Sequence, residues 1–302
     1  MRRPLLARVG SAARQVIPRL AVVPRRWPAR GSGMSSPQGT AALLHAEAVS
    51  KSFGGVQALS GATIDVKRGA IAGLIGPNGS GKTTLFNVIT GYARADSGQV
   101  FLAGKAITNA PPETVFGLGI GRTFQLTRIF PSMTVLENML IAGQHKERSR
   151  NPLARAGGAA SRRHAMELLD FVGLASHAAA LAQTLSYGQR KLLELAYVLV
   201  ADPQIVLLDE PAGGVNPSLI NLIAEKIRQL NAAGKTFLIV EHNMDFVMGL
   251  CDPIMVMDHG TVIASGPPGQ VRNDRKVLDA YLGTDDEDSD GDSDIEASRA
   301  GI

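Results

Sequence analysis

Three short apolar runs mark the chain, at residues 70–75, 205–208 and 236–240. The middle run, Ile205-Val206-Leu207-Leu208, is apolar at every position, as in a strand buried on both faces. Each run ends in residues of another kind. A glycine-rich loop follows Ile75, Asp209 and Glu210 follow Leu208, and Glu241 and His242 follow Val240. Helical spacing takes over after the first loop, where residues 84–89 place apolar side chains at helical intervals. Residues 190–200 read as a strongly apolar helix, and the stretch between Gln125 and Ser186 is helix-rich, including 133–142 and 165–174. The pattern predicts an α/β fold whose ligands bind outside the carboxyl ends of the strands.

The loop after the first run reads Gly76-Pro77-Asn78-Gly79-Ser80-Gly81-Lys82-Thr83-Thr84 and fits Gly-x-x-x-x-Gly-Lys-Ser/Thr. Its glycines let successive backbone N–H groups converge on phosphate oxygens. Lys82 brings a mobile charge to the β- and γ-phosphates, and the Thr83 hydroxyl completes the shell of a Mg²⁺ ion. Strand, loop and helix in that order put a helix N-terminus behind the anion. The expected ligand is therefore a nucleoside triphosphate, ATP. Asp209 is placed to hold Mg²⁺, directly or through water, and Glu210 to polarise the attacking water. His242, at the end of the third run, reaches toward the γ-phosphate. Gln125, after Gly121-Arg122-Thr123-Phe124, orients water or completes the metal shell. A second anion-binding helix start is expected at Leu185-Ser186-Tyr187-Gly188-Gln189, with Ser186 as N-cap and Gly188 leaving N–H groups accessible. Spacing leaves open whether both helix starts serve one site within a single chain.

Composition changes the picture mainly at the ends. The chain has 302 residues, 45% of them hydrophobic, enough for a core. No stretch approaches ~18 uninterrupted apolar residues, so no membrane span is expected. The single cysteine, Cys251, excludes an internal disulfide and reads as a small buried hydrophobe. The net charge of +4 conceals eight arginines and no acid in residues 1–33, and eight acids against Arg299 in residues 285–302. The middle is nearly neutral, which gives no argument for a nucleic-acid partner. Residues 1–44 are expected to be a disordered Arg-rich leader, with Met34 as a candidate translation start. An organelle transit peptide is the alternative, weakened by Pro4, Pro18, Pro24 and Pro28. Residues 285–302 are expected to be a disordered acidic tail that binds no metal.

In their order these motifs resemble the nucleotide-binding subunits of ABC transporters, over residues 45–284. The resemblance implies an ABC-type P-loop NTPase, with a RecA-like α/β core and an inserted α-helical subdomain at about 126–190. Residues 76–84 then correspond to Walker A, Gln125 to the Q-loop, and 185–189 to the ABC signature. Asp209 and Glu210 match Walker B and its catalytic glutamate, Gly214-Val215-Asn216 the D-loop, and His242 the switch histidine. Asn216 departs from the aspartate common there. Phe53 looks like the aromatic that stacks on adenine, with a strand-core position as its other reading. The family implies a head-to-tail dimer in which Ser186, Gly188 and Gln189 meet the partner's nucleotide. It also implies permease subunits receiving the helical subdomain, a second copy or a paralogue as the other ATPase, and an extracytoplasmic solute-binding protein as an indirect partner. The subunit would sit at the cytoplasmic face of the membrane.

Finer motifs narrow the group. Residues 121–125, 210–217, 241–244 and 277–283 resemble the branched-chain amino-acid uptake group, nearer its LivG than its LivF type. The expected function is ATP hydrolysis driving solute import. Alternatives are import of urea or short amides, a soluble ABC ATPase acting on nucleic acid or ribosomes, and a switch without turnover. The base at Glu210 argues against the last.

Overall fold

The computed structural model describes residues 42–123, 129–150 and 158–282. Gln125, residues 1–41 and the acidic tail lie outside the described residues.

The first described elements are two long strands, β1 (Ala42–Phe53) and β2 (Val56–Lys67), and β1 takes in residues 42–44, ahead of the expected start of the domain at position 45. They pair antiparallel with several register shifts. Strand β3 (Ile71–Ile75) leads through the glycine loop into helix α1 (Lys82–Ile89). Strands β4 (Ser97–Leu102) and β5 (Lys105–Ala106), helix α2 (Pro112–Gly117) and strand β6 (Ile120–Arg122) follow. Helices α3 (Val135–Arg150), α4 (Ala159–Phe171) and α5 (Tyr187–Leu199) form the helical part. The chain then alternates through β7 (Ile205–Asp209), α6 (Pro217–Ala232), β8 (Thr236–Val240), α7 (Met244–Leu250) and β9 (Ile254–Asp258). It closes with β10 (Thr261–Gly266), α8 (Pro268–Arg272) and α9 (Arg275–Leu282).

Two sheets result. One has the order β2-β1-β4-β5, the other β10-β9-β3-β8-β7-β6. In the second, β9, β3, β8, β7 and β6 run parallel, with Gly73 beside Ile239 and Asp209 beside Val240. Parallel strands carry their carboxyl ends to one edge, so the glycine loop, Asp209-Glu210 and Glu241-His242 come together at that edge.

The apolar runs explain why this sheet lies inside. Val206, Leu208, Phe237 and Ile239 belong to a core shared with α3 to α7. Ile205, Leu207, Leu238 and Val240 face a different core, shared with α1 and the smaller sheet. Successive side chains of a strand point to opposite faces, so a strand covered on both sides must be apolar throughout. Each such side chain contributes ~1.5–3 kcal/mol relative to exposure. The strand interiors, rather than polar contacts, therefore hold the crevice in place. Cys251 packs in the first of these cores at 2% exposure, and burial, assisted by Glu241, pushes its thiol up to about 12.

Candidate functional site

A cavity of about 260 Å³ opens at the carboxyl edge, lined by the glycine loop and α1 with Glu210, Glu241 and His242. Gly76, Asn78, Gly79, Gly81, Lys82, Thr83 and Thr84 all line it; Ser80, also expected there, is instead buried beneath the loop at 2% exposure. Two glycines are fixed by sterics. A Cβ on Gly76, at φ +149°, would lie 2.0 Å from the Met257 carbonyl, and one on Gly81, at φ +100°, 2.5 Å from that of Ala58. Gly79, at φ +78°, has nothing within 4 Å. Gly76→Ala is thus expected to lower stability by ~3 kcal/mol or more, and Gly79→Ala by only ~1–2 kcal/mol. Thermal melts of the two variants check the contrast, which equal losses would contradict.

Lys82 folds back over the loop. Its Nζ donates to the carbonyls of Gly76 (2.8 Å) and Pro77 (2.7 Å) and to Ser80 Oγ (3.2 Å). Burial pushes the ammonium below the usual lysine value, against the opposing pull of Glu210 and Asp209. A phosphate would offer this cation charge-assisted bonds stronger than those to neutral carbonyls. Helix α1 adds its N-terminus, which carries neither a side-chain cap nor an acid in its first turn.

Glu210 holds an unusual backbone, φ +49°, immediately after β7. A non-glycine residue pays for that conformation in strain, which tends to persist where structure over-determines it. Here the N–H bonds to Val240 O at 2.9 Å and the carbonyl accepts from Gly213 N at 3.1 Å and Lys191 Nζ at 3.3 Å. The carboxylate Oε1 stands 3.8 Å from His242 Nδ1.

Asp209 sits deeper, at 3% exposure, and does not line the main cavity. It borders a water-sized space of about 20 Å³ together with Thr123, Lys191 and Glu194. Oδ2 pairs with Arg122 Nη2 at 3.0 Å, whereas Oδ1 is buried without a hydrogen-bond partner among the described residues. Burial raises the carboxyl above its usual range, and the bond and charge of Arg122 oppose that shift. A buried oxygen without a partner, together with the exposed Thr83 hydroxyl, suits Mg²⁺, which takes oxygen ligands and keeps several waters.

The second helix start forms as expected. Ser186 caps α5, its Oγ accepting from Gln189 N at 3.3 Å while Gln189 Oε1 accepts from Ser186 N at 2.9 Å. The Gln189 side chain is therefore engaged in the cap, and its Nε2 lies 3.3 Å from His177 Nε2. Gly188 has a further role, since a Cβ there would meet Leu219 Cδ2 at 2.3 Å. Neither Ser186 nor Gly188 lines the 260 Å³ cavity, and neither does Phe53, which is 51% exposed beside Lys51 Nζ, 5.1 Å from its ring. Asn216 caps α6, accepting from Leu219 N at 2.9 Å; asparagine and aspartate cap about equally well, so the departure keeps the cap.

Sequence reasoning did not assign Glu241 or Arg122. Glu241, 1% exposed, accepts from Ala212 N (2.6 Å), His242 N (3.0 Å) and Asn243 N (3.1 Å). It ties the loop after Glu210 to the loop bearing His242. Its place beside a candidate histidine was the only hint in the sequence. Tyr187 and Lys191 were also unassigned, yet Tyr187 OH donates to Gly213 O at 3.2 Å, linking α5 to the same loop.

Comparison with known proteins gives a consistent result. The ABC transporter family profile matches residues 59–213, and that of the branched-chain amino acid ATP-binding cassette transporters matches 261–287. LivG of Archaeoglobus fulgidus is 42% identical over 248 residues, spanning 81% of this chain and 96% of that protein. The high-affinity branched-chain amino acid transport ATP-binding protein LivG of Escherichia coli K12 is 38% identical over 250 residues, spanning 80% and 98%. The ADP conformation of an ABC transporter's ATP-binding cassette superposes with a TM-score of 0.73 at 38% identity, covering 81% of this chain and all of that one. A more distant cassette, bound to ADP and Pi, is dimeric; it is 25% identical with a TM-score of 0.67, over 74% and 98% of the two chains. Phosphate loop, acid-tipped strands and capped second helix thus stand in one fold with their relatives, and the chain belongs to the ATP-binding proteins of ABC transporters, in the branched-chain amino-acid group of LivG type.

Proposed function

We propose that this subunit hydrolyses ATP at the cytoplasmic face of a membrane to drive import of branched-chain amino acids. The observation that carries the reading is the convergence of Lys82, Glu210 and His242 on one cavity at the carboxyl ends of β3, β7 and β8. Lys82 and the loop N–H groups hold the phosphates. Thr83 and Asp209 would hold Mg²⁺, which would supply neutralising charge at the phosphates. Glu210 takes the proton of the attacking water, and His242 contacts the γ-phosphate. Gln125 joins the metal shell to the surface that receives the permeases.

Ser186 and Gly188 do not line the cavity of their own chain, which favours their acting on the nucleotide of a partner ATPase, a second copy or a paralogue. No helix among the described residues is long and apolar enough to cross a membrane, so two permease subunits would form the pathway and an extracytoplasmic solute-binding protein would deliver the solute. The match of residues 261–287 to the branched-chain amino acid ATP-binding cassette profile supports branched-chain amino acids as the solute. Labelled uptake in cells lacking this subunit tests the assignment. The wild-type chain restores leucine, isoleucine and valine uptake and Lys82→Ala does not; restored urea or amide uptake alone would contradict it.

A further inference from the structure

Arg122 is a buried cation joined to both sides of the site. Its side chain is 6% exposed and that of Asp209 3%, and Nη2 lies 3.0 Å from Asp209 Oδ2. The other end of the guanidinium is anchored on α1. Nη1 donates to Asn87 Oδ1 at 2.7 Å and to Thr90 Oγ1 at 3.0 Å. Thr90 Oγ in turn donates to Phe86 O at 2.6 Å, which turns its lone pairs toward the arginine. The guanidinium also stacks over the Phe86 ring, 5.5 Å from its centroid. Arg122 thus spans from the helix that begins at Lys82 to the strand that ends at Asp209. The next residue works on the same target, since Thr123 Oγ1 accepts from Asp209 N at 3.1 Å and Thr123 N donates to Leu207 O at 3.0 Å.

We propose that Arg122 is a positioning residue for Asp209, fixing its carboxylate in one orientation with Oδ2 engaged and Oδ1 available to the metal shell. The proposal rests on the reading of Asp209 as a Mg²⁺ residue. A carboxylate that serves a metal is itself held by outer hydrogen bonds, and losing them weakens metal binding. The planar fork of arginine matters because it binds helix and carboxylate at once, which the point charge of lysine does not reproduce.

The test uses the full chain and trinitrophenyl-ATP, with binding followed by fluorescence as Mg²⁺ is titrated and repeated in EDTA. Arg122→Gln is expected to raise the half-saturating Mg²⁺ by ~10-fold or more, leaving binding in EDTA as in the wild type. Arg122→Lys recovers part of that loss. Asn87→Ala combined with Thr90→Val, which keeps the charge but removes its anchors, shifts half-saturation in the same direction by less. If Arg122→Gln fails to fold, this double variant decides the matter alone. Wild-type Mg²⁺ half-saturation in a folded variant, with or without a lower melting temperature, would reduce Arg122 to a structural ion pair and overturn the proposal. Asp209→Asn run in parallel separates the two failures. If it shifts half-saturation while the arginine variants do not, only the positioning role falls; if it does not, the metal assignment falls with it.

Discussion

Glu210→Gln is expected to stop steady-state ATP hydrolysis, by ~10²–10⁴-fold, while ATP stays bound. Glutamine keeps the shape of the side chain and can still accept a hydrogen bond, but it cannot carry away the proton of the attacking water. The backbone that presents this residue, at φ +49°, is fixed by contacts from β8, the following turn and Lys191, none of which uses the carboxylate. The substitution should therefore leave the fold and the phosphate loop unchanged. Where the partner ATPase is a second copy of this chain, retained ATP would hold the two together, and light scattering would give a dimeric mass for the variant in ATP and a monomeric mass without nucleotide. Normal turnover by the variant would remove Glu210 from the role of base.

Lys82→Ala is expected to act one step earlier, weakening ATP binding by ~100-fold or more. Hydrogen bonds to charged groups contribute ~1.5–3 kcal/mol each, and one ammonium serves two phosphates. The nucleotide-free protein should change less. Among the described residues Lys82 there donates only to Gly76, Pro77 and Ser80, and those acceptors lie beside a cavity that water can enter. Calorimetric titration with ATP separates the variants: Glu210→Gln should give a full binding isotherm, Lys82→Ala almost none. Comparable affinity in the two would show that Lys82 does not hold the phosphates.

What could be read from the sequence follows from how far each signal reaches along the chain. The glycine loop is legible because its motif lies within the unbroken stretch 76–84, although the crowding that fixes Gly76 and Gly81 comes from distant Met257 and Ala58. Strands β7 and β8 were legible because burial on both faces requires unbroken apolar runs. The smaller sheet was not. Strand β1 slips register against β2 at several points, so its apolar residues follow no clean alternation. Arg122 and Glu241 lay in plain view beside assigned residues, yet their roles depend on which strands become neighbours. Arg122 finds Asp209 because β6 lies against β7, and Glu241 reaches Ala212 because β7 lies against β8. The N-cap at Ser186 was legible, but the engagement of the Gln189 side chain and the room that Gly188 leaves for Leu219 depend on contacts seen only in the fold.

The central claim is that this ATPase powers a membrane importer, and the most direct measurement is co-purification. The chain, tagged at its C-terminus, would be recovered from detergent-solubilised membranes of its own cells and the bound proteins identified by mass spectrometry. Two multi-span permeases are expected in stoichiometric amount, with either a second copy or a paralogous ATPase. Recovery of ribosomal or DNA-repair proteins without any permease would contradict it.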